Sequence, residues 1–195
     1  MTRVYVLSNS VQLKELFKNN FVDVIKKKGK KILEIDLAKN RNKKENLVLL
    51  VSQLKLLFDY IILYSDCPEQ TAKICDIIII LQNELLDGLS SVLNKQQVVL
   101  LFSDDTANRN LNGISSKIID IGFSPQNTVN ITHLEYGHDN KVTFNLFFQR
   151  AVEDIEGNFV IEKEITEHCV YTLIDYELLY VYPLITTLKV LFQLI

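Results

Sequence analysis

Glycine is scarce at the beginning of this chain. The 195 residues include six glycines, and the first of them is Gly29. A loop that wraps closely around phosphate groups depends on glycine, because side chains would crowd the loop and restrict its φ angles. The sequence therefore excludes a glycine-rich phosphate loop ahead of Gly29.

Cysteine and positive charge are also limited. Three cysteines (Cys67, Cys75 and Cys169) cannot all pair, and they do not have the spacing of metal ligands. This pattern predicts reduced thiols that are packed in the interior as small apolar groups, Cys67 included, and a cytoplasmic location. The net charge is −3, so no excess of positive charge indicates a nucleic-acid partner.

Long uncharged apolar runs are missing as well. No such run reaches the roughly 20 residues that a membrane-spanning helix needs. A strand-length run follows Arg3 directly, which is not the pattern of a signal peptide. We expect neither a membrane span nor a leader.

The chain opens with a strand–helix–strand pattern. Residues 4–7 form a short apolar run, and residues 32–37, which include Asp36, are predicted to form the next strand. Between them, apolar residues recur at spacings of three and four, which predicts one helix with a buried face. Gly29 follows three lysines and suits a left-handed helix cap. We expect a right-handed βαβ unit with parallel strands.

Apolar strands and amphipathic helices alternate along the rest of the first 140 residues. Further strands are predicted at 61–64, 77–81, 98–102 and 129–134, and helices at 47–58, 85–93 and 114–121. This alternation predicts an α/β fold, with a doubly wound, mainly parallel sheet flanked by helices on both faces. A receiver-like or flavodoxin-like sheet with strand order 2-1-3-4-5 remains an alternative.

The end of the chain has a different pattern. Residues 142–148 and 159–165 alternate in part, with a turn at 156–158 and a helix at 149–154, which predicts extra C-terminal strands. Residues 184–195 form a nearly uncharged helix or strand, and we expect it to be buried or to contact a second copy rather than a membrane. We predict one domain, 1–195, with a core of 1–140 and a divergent extension of 141–195.

Five segments together resemble a known family. They are GKKILEIDLA (29–38), FDYIILYS (58–65), CDIIIILQ (75–82), QQVVLLFS (96–103) and VNITHLEYG (129–137). In sequence and order they resemble the MinD/ParA family of deviant Walker ATPases. The resemblance implies an α/β fold that dimerises around ATP and positions cell structures, including pili or flagella in some members.

The chain departs from that family at the positions that carry its chemistry. The glycine-rich loop is replaced by residues 8–14, in which Ser10 and Lys14 are the vestigial positions, so we expect the helix to begin earlier. Asp36 matches the first family aspartate, whereas Ala38 replaces the second. Tyr64 stands where an acidic residue would help to hold Mg²⁺, and Asp66 lies two residues beyond.

These departures predict a pseudo-ATPase. We expect no catalytic residue, no metal and no cofactor, with Tyr64 and Gln12 filling the former nucleotide cleft. The function that follows is a catalytically inactive MinD/ParA-like assembly or positioning factor, in a pilus, secretion or flagellar system. It would act by binding a protein partner or by self-association.

One alternative of another class is an enzyme. It would bind a nucleotide or a small ligand through carboxylates at the strand ends: Asp36, Asp66, Asp104 and Asp105. A metal site built from His133, His138 and His168 fits no known zinc spacing, and we expect these to be loop histidines.

Overall fold

The computed structural model describes residues 1–39, 51, 53–54, 57–85, 88–103, 117–136, 141–160, 164–170 and 180–194. Two compact units divide these residues. The first comprises those up to Leu101 together with residues 117–118, and the second comprises 102–103 and the residues from Ile119 onward. The expectation of a single domain stays a prediction.

The first unit contains a parallel sheet. Its strands are β1 (Thr2–Leu7), β2 (Ile32–Asp36), β3 (Tyr60–Ser65), β4 (Ile77–Ile80) and β5 (Val98–Phe102). Their spatial order is 2-3-1-4-5, with β1 between β3 and β4, and every pair is parallel. The flavodoxin-like alternative, which requires the order 2-1-3-4-5, is therefore wrong.

One helical segment follows β1. It consists of α1 (Val11–Phe17), a π-helical turn (Lys18–Val22) and α2 (Asp23–Lys27). Phe17, Phe21 and Ile25 are fully buried, because their spacing places them on one face. Gly29 has φ +77°, the left-handed conformation expected of a helix cap. The predicted helix is confirmed, with a π-turn that the periodicity did not indicate.

The strands β3 and β4 are fully buried because their residues are mostly apolar on both faces, whereas β2 at the edge is half-buried. One face belongs to a continuous core that includes Tyr5, Leu63 and Ile78. The backbone N–H and the guanidinium of Arg3 both donate to Asp76, with Nη2 2.6 Å from Oδ1. This pair fixes the amino ends of β1 and β4.

The described connections that follow β3 and β4 contain short 3₁₀ turns. They lie at Gln70–Ile74, Asn83–Leu85 and Leu89–Ser91. The helix predicted at 85–93 is wrong, since Gly88 takes φ +82° and separates two turns. Most of the helix predicted at 47–58 lies outside the described residues.

The second unit carries mainly antiparallel strands. β6 (Lys117–Gly122) pairs parallel with β7 (Val129–Tyr136), and β8 (Lys141–Phe148) then pairs antiparallel with both β7 and β11 (Glu164–Val170). The helix predicted at 114–121 is wrong where it is described. Its isoleucines are β-branched and suit a strand.

A two-stranded hairpin replaces the helix predicted at 149–154. β9 (Val152–Glu153) pairs with β10 (Phe159–Val160), and Gly157 takes φ +86° in the predicted turn. Asp154 accepts hydrogen bonds from the backbone of Glu156 and Asn158 and from Gln193, which lowers the pKa of its carboxyl to about 2 although the side chain is exposed.

The last element is α3 (Val181–Leu191), and all of its residues except Lys189 are buried. This burial confirms the expectation that the C-terminal segment packs within the protein. Among the described helices, none has the length and apolar character that crossing a membrane requires.

The predicted fold class is confirmed. The protein is α/β, with a mainly parallel sheet, flanking helices and extra C-terminal strands.

Candidate functional site

The carboxyl ends of β1, β3 and β4 meet at one edge of the sheet in the first unit, because the three strands are parallel neighbours. The β1 turn comprises residues 8–10, and the β3 turn comprises residues 65–69. The backbone N–H of Ser8 donates to the carbonyl of Ser65 at 2.9 Å and joins the two turns.

The β1 turn is closed by a side chain from the end of β4. The Gln82 Oε1 atom accepts hydrogen bonds from Ser8 Oγ at 2.8 Å, from Asn9 N at 2.9 Å and from Ser10 N at 3.1 Å. The donors that a phosphate loop would offer to a ligand are therefore bound to a neutral oxygen of the protein itself.

The vestigial positions near this turn have structural partners. Ser10 caps α1, since its Oγ accepts from Leu13 N at 3.3 Å, and the helix begins at Val11, as expected. Lys14 is half-buried within α1. Gln12 is exposed, so the prediction that it fills the cleft is wrong. Gln82 closes the turn in its place.

Tyr64 lies between β2 and the helical segment. Its hydroxyl donates to Glu34 Oε2 at 3.1 Å, and its ring meets that of Phe17 edge-on at 6.4 Å. Burial and the nearby Glu34 charge raise the pKa of Tyr64, so the hydroxyl stays protonated. Lys26 Nζ contacts the other Glu34 oxygen at 2.6 Å. Tyr64, Glu34 and Lys26 therefore form a connected set of polar side chains.

Asp36 is bound by its own loop. Its Oδ1 accepts from Ala38 N at 3.0 Å, and its Oδ2 lies 3.7 Å from Lys39 Nζ. These bonds are those of a turn-forming aspartate. Asp36 therefore has a local structural role in addition to any contact with a ligand.

The β3 turn concentrates ligand atoms. Asp66, Cys67 and Glu69 each offer one oxygen or sulfur, and the three atoms lie within 4.8 Å of one another. Tyr5 Oη and Ser65 Oγ both donate to the Cys67 carbonyl at 2.8 Å, and these two hydrogen bonds hold the backbone of the turn in place. This is the group of side chains that could hold a divalent cation.

The Cys67 thiol is exposed, contrary to the expectation that it would be packed, whereas Cys75 is buried. Partial burial, followed by the negative charge of Glu69, raises the pKa of the Cys67 thiol. Its Sγ lies 3.7 Å from Glu69 Oε1. The raised pKa keeps the thiol neutral at neutral pH.

Several other predicted site residues cannot be compared with this group. Asp104, Asp105 and His138 lie outside the described residues, as does the side chain of His168. His133 is an exposed residue of β7, and its Nε2 is 3.3 Å from Glu135 Oε2.

The first unit thus has an α/β architecture whose strand ends carry polar and acidic residues. No family model and no curated protein matches the chain. Solved structures do match. One is the UDP-N-acetylmuramoylalanyl-D-glutamyl-2,6-diaminopimelate–D-alanyl-D-alanyl ligase from Acinetobacter baumannii, at 12% identity and a TM-score of 0.58, over 98% of this chain and 43% of that one.

A second match is the MurF ligase from Thermotoga maritima in complex with ADP, at 12% identity and a TM-score of 0.54. It covers 96% of this chain and 44% of that one. The chain therefore spans less than half the length of these ligases. At this identity the likeness concerns the fold.

These matches contradict the prediction that the chain is not an enzyme. The matched structures are ligases, and this chain shares the fold of part of them. The non-enzyme prediction rested on the absence of glycine from the β1 turn. That absence concerns one kind of phosphate-binding loop and not the other residues at the strand ends.

Gln82 and Glu69 were not among the predicted site residues. Gln82 could have been predicted, because it is the polar residue that follows the apolar run 77–81 and so lies at the end of a strand. Glu69 stands three residues after Asp66, a spacing that brings two carboxylates together in a tight turn.

Proposed function

We propose that the chain is the ligand-binding part of an enzyme with the ATP-using ligase-like fold. Its ligand is a nucleotide delivered with a divalent cation, and the carboxylates of the β3 turn hold the cation. The observation that carries this proposal is the convergence of Asp66, Cys67 and Glu69 ligand atoms within 4.8 Å, directly after β3.

The chemistry of the group supports a hard cation. Carboxylate oxygens are the ligands that Mg²⁺ and Mn²⁺ prefer, and Mg²⁺ commonly binds through one or two carboxylates together with substrate phosphates. The raised pKa of Cys67 keeps the thiol protonated beside them. One matched ligase structure contains ADP, which supports the nucleotide class.

Calorimetric titration with Mn²⁺ and with Mg²⁺–ADP tests this proposal. We expect saturable binding to the native chain and its loss in the double variant Asp66→Asn/Glu69→Gln. Glu15→Gln, which removes an exposed carboxylate from α1, is the matched control and should bind normally. Equal binding by all three proteins would refute the proposed site.

A second candidate keeps the MinD/ParA resemblance. In it, the chain is an assembly or positioning protein of the cytoplasm, in a pilus, secretion or flagellar system. The exposed apolar hairpin of the second unit favours it, since Phe159 is 66% and Ile155 is 38% exposed. Sedimentation of wild type and Phe159→Ser tests self-association, and we expect the variant to be more monomeric. Identical profiles would remove this support.

A further inference from the structure

Three hydrogen-bond donors in the β1 turn converge on one oxygen atom. Gln82 Oε1 lies 2.8 Å from Ser8 Oγ, 2.9 Å from Asn9 N and 3.1 Å from Ser10 N. Because all three partners donate, the atom between them is the carbonyl oxygen of the amide and not its nitrogen. The Ser10 N–H is shared with Ser8 Oγ, also at 3.1 Å.

The chain geometry holds Gln82 in this position. β1 and β4 are adjacent and parallel, with Leu7 in register with Ile80. The backbone N–H of Leu81 donates to the Leu7 carbonyl at 3.1 Å and extends the pairing to the strand ends. Gln82 therefore leaves β4 directly beside the β1 turn.

The donor set is that of an oxyanion receptor. Successive backbone N–H groups and a hydroxyl at the end of a strand are the groups that bind phosphate oxygens in many α/β proteins. Ser8 is fully buried, and the Gln82 oxygen at 2.8 Å is the nearer of its two acceptors, the other being the Ser10 carbonyl at 3.3 Å. A phosphate could enter only by displacing the Gln82 oxygen and losing its three bonds.

We propose that Gln82 is an internal substitute for an anion: it blocks phosphate from the β1 turn and so determines which part of the strand edge can take a ligand. The turn keeps the ability to bind an oxyanion, and removal of the Gln82 carboxamide uncovers it. This inference goes beyond the proposed function, because it concerns residues 8–10 and not the carboxylates of the β3 turn.

Thermal unfolding in sodium phosphate, compared with sodium chloride at equal ionic strength, tests the inference. We expect no phosphate-specific change for wild type. Gln82→Ala should melt lower in chloride and gain about 3 °C in phosphate, since a ligand that binds the folded state raises its melting temperature.

Two further variants control the comparison. Gln82→Glu places a carboxylate oxygen near the same donors and should gain nothing from phosphate. Gln12→Ala removes an exposed glutamine of α1 beside the turn and should behave as wild type. If Gln82→Ala does not fold, Gln82→Asn takes its place in the same assay, because its side chain is one methylene shorter and holds the oxygen farther from the donors.

The outcomes are distinct. A phosphate-specific gain confined to the shortened variants supports the inference. An equal gain in wild type, or no gain in a folded Gln82→Ala or Gln82→Asn, overturns it. Because inorganic phosphate and the Gln82 variants are used, failure here is distinguishable from failure of the Mn²⁺ and Mg²⁺–ADP titration with Asp66 and Glu69 variants.

Discussion

The β1 turn and the β3 turn lie at the same edge of one parallel sheet and use their polar groups in opposite ways. In the β1 turn, the donors are saturated by the neutral Gln82 oxygen. In the β3 turn, acidic side chains converge around Cys67. The difference teaches that one strand edge can have a β1 turn closed by a neutral side chain and, beside it, a β3 turn that brings acidic side chains together.

The largest expected effect comes from opening the β1 turn. Gln82→Ala removes three hydrogen bonds, from Asn9 N, Ser10 N and Ser8 Oγ, and it should lower the free energy of unfolding by about 2 kcal/mol. Ser10 N still donates to Ser8 Oγ at 3.1 Å, and Ser8 Oγ still donates to the Ser10 carbonyl at 3.3 Å. Urea unfolding measures the change. Loss of less than ~0.5 kcal/mol would show that water replaces the carboxamide without cost.

Loosening the β3 turn should cost less. Tyr5→Phe removes a donor to the Cys67 carbonyl, but Ser65 Oγ still donates to it. We expect a loss of about 1 kcal/mol in the free energy of unfolding, measured by the same urea titration. If Tyr5→Phe lowered the free energy of unfolding more than Gln82→Ala does, the β3 turn and not the β1 turn would depend more on its side-chain hydrogen bonds.

A variant without the α1 cap distinguishes the effect of helix capping from the effect of the Gln82 contact with the β1 turn. Ser10→Ala deletes the Oγ that accepts from Leu13 N, while the backbone N–H of Ser10 still donates to Gln82. The helix should lose roughly 0.5–1 kcal/mol, and no phosphate-dependent gain should appear. A phosphate gain in this variant would mean that the cap, and not Gln82, excludes the anion.

The smallest effect concerns reactivity rather than stability. The carboxylate of Glu69 raises the pKa of the Cys67 thiol, so Glu69→Gln should lower that pKa towards its ordinary value. The thiolate then forms at lower pH, and alkylation of Cys67 at pH 8 should be faster than in wild type. Peptide mapping after timed iodoacetamide treatment measures it, with buried Cys75 as the internal reference.

Much of the fold could be predicted from the sequence. The short apolar runs at residues 4–7 and 77–81 are rich in β-branched residues, which favours a strand buried on both faces. The helix predicted at 114–121 failed because the spacing of its isoleucines fits either period, and its pairing partners decide the outcome. The turns at Gly29 and Gly157 were predictable because glycine can adopt a positive φ without strain.

The candidate site was only partly predictable. Asp66 was identified from its place after a strand, but its proximity to Glu69 depends on the path of the β3 turn. The contact between Gln82 and the β1 turn joins residues more than seventy positions apart, and it follows from the adjacency of β1 and β4. No local pattern contains that information, since the strand order is a property of the whole sheet.

Backbone amide NMR shifts during titration with Mg²⁺–ADP test the central claim most directly. The account predicts shifts at Asp66, Cys67 and Glu69, with the amides of Asn9 and Ser10 unmoved because Gln82 already binds them. Shifts at Asn9 and Ser10, with the β3 turn unchanged, would contradict it.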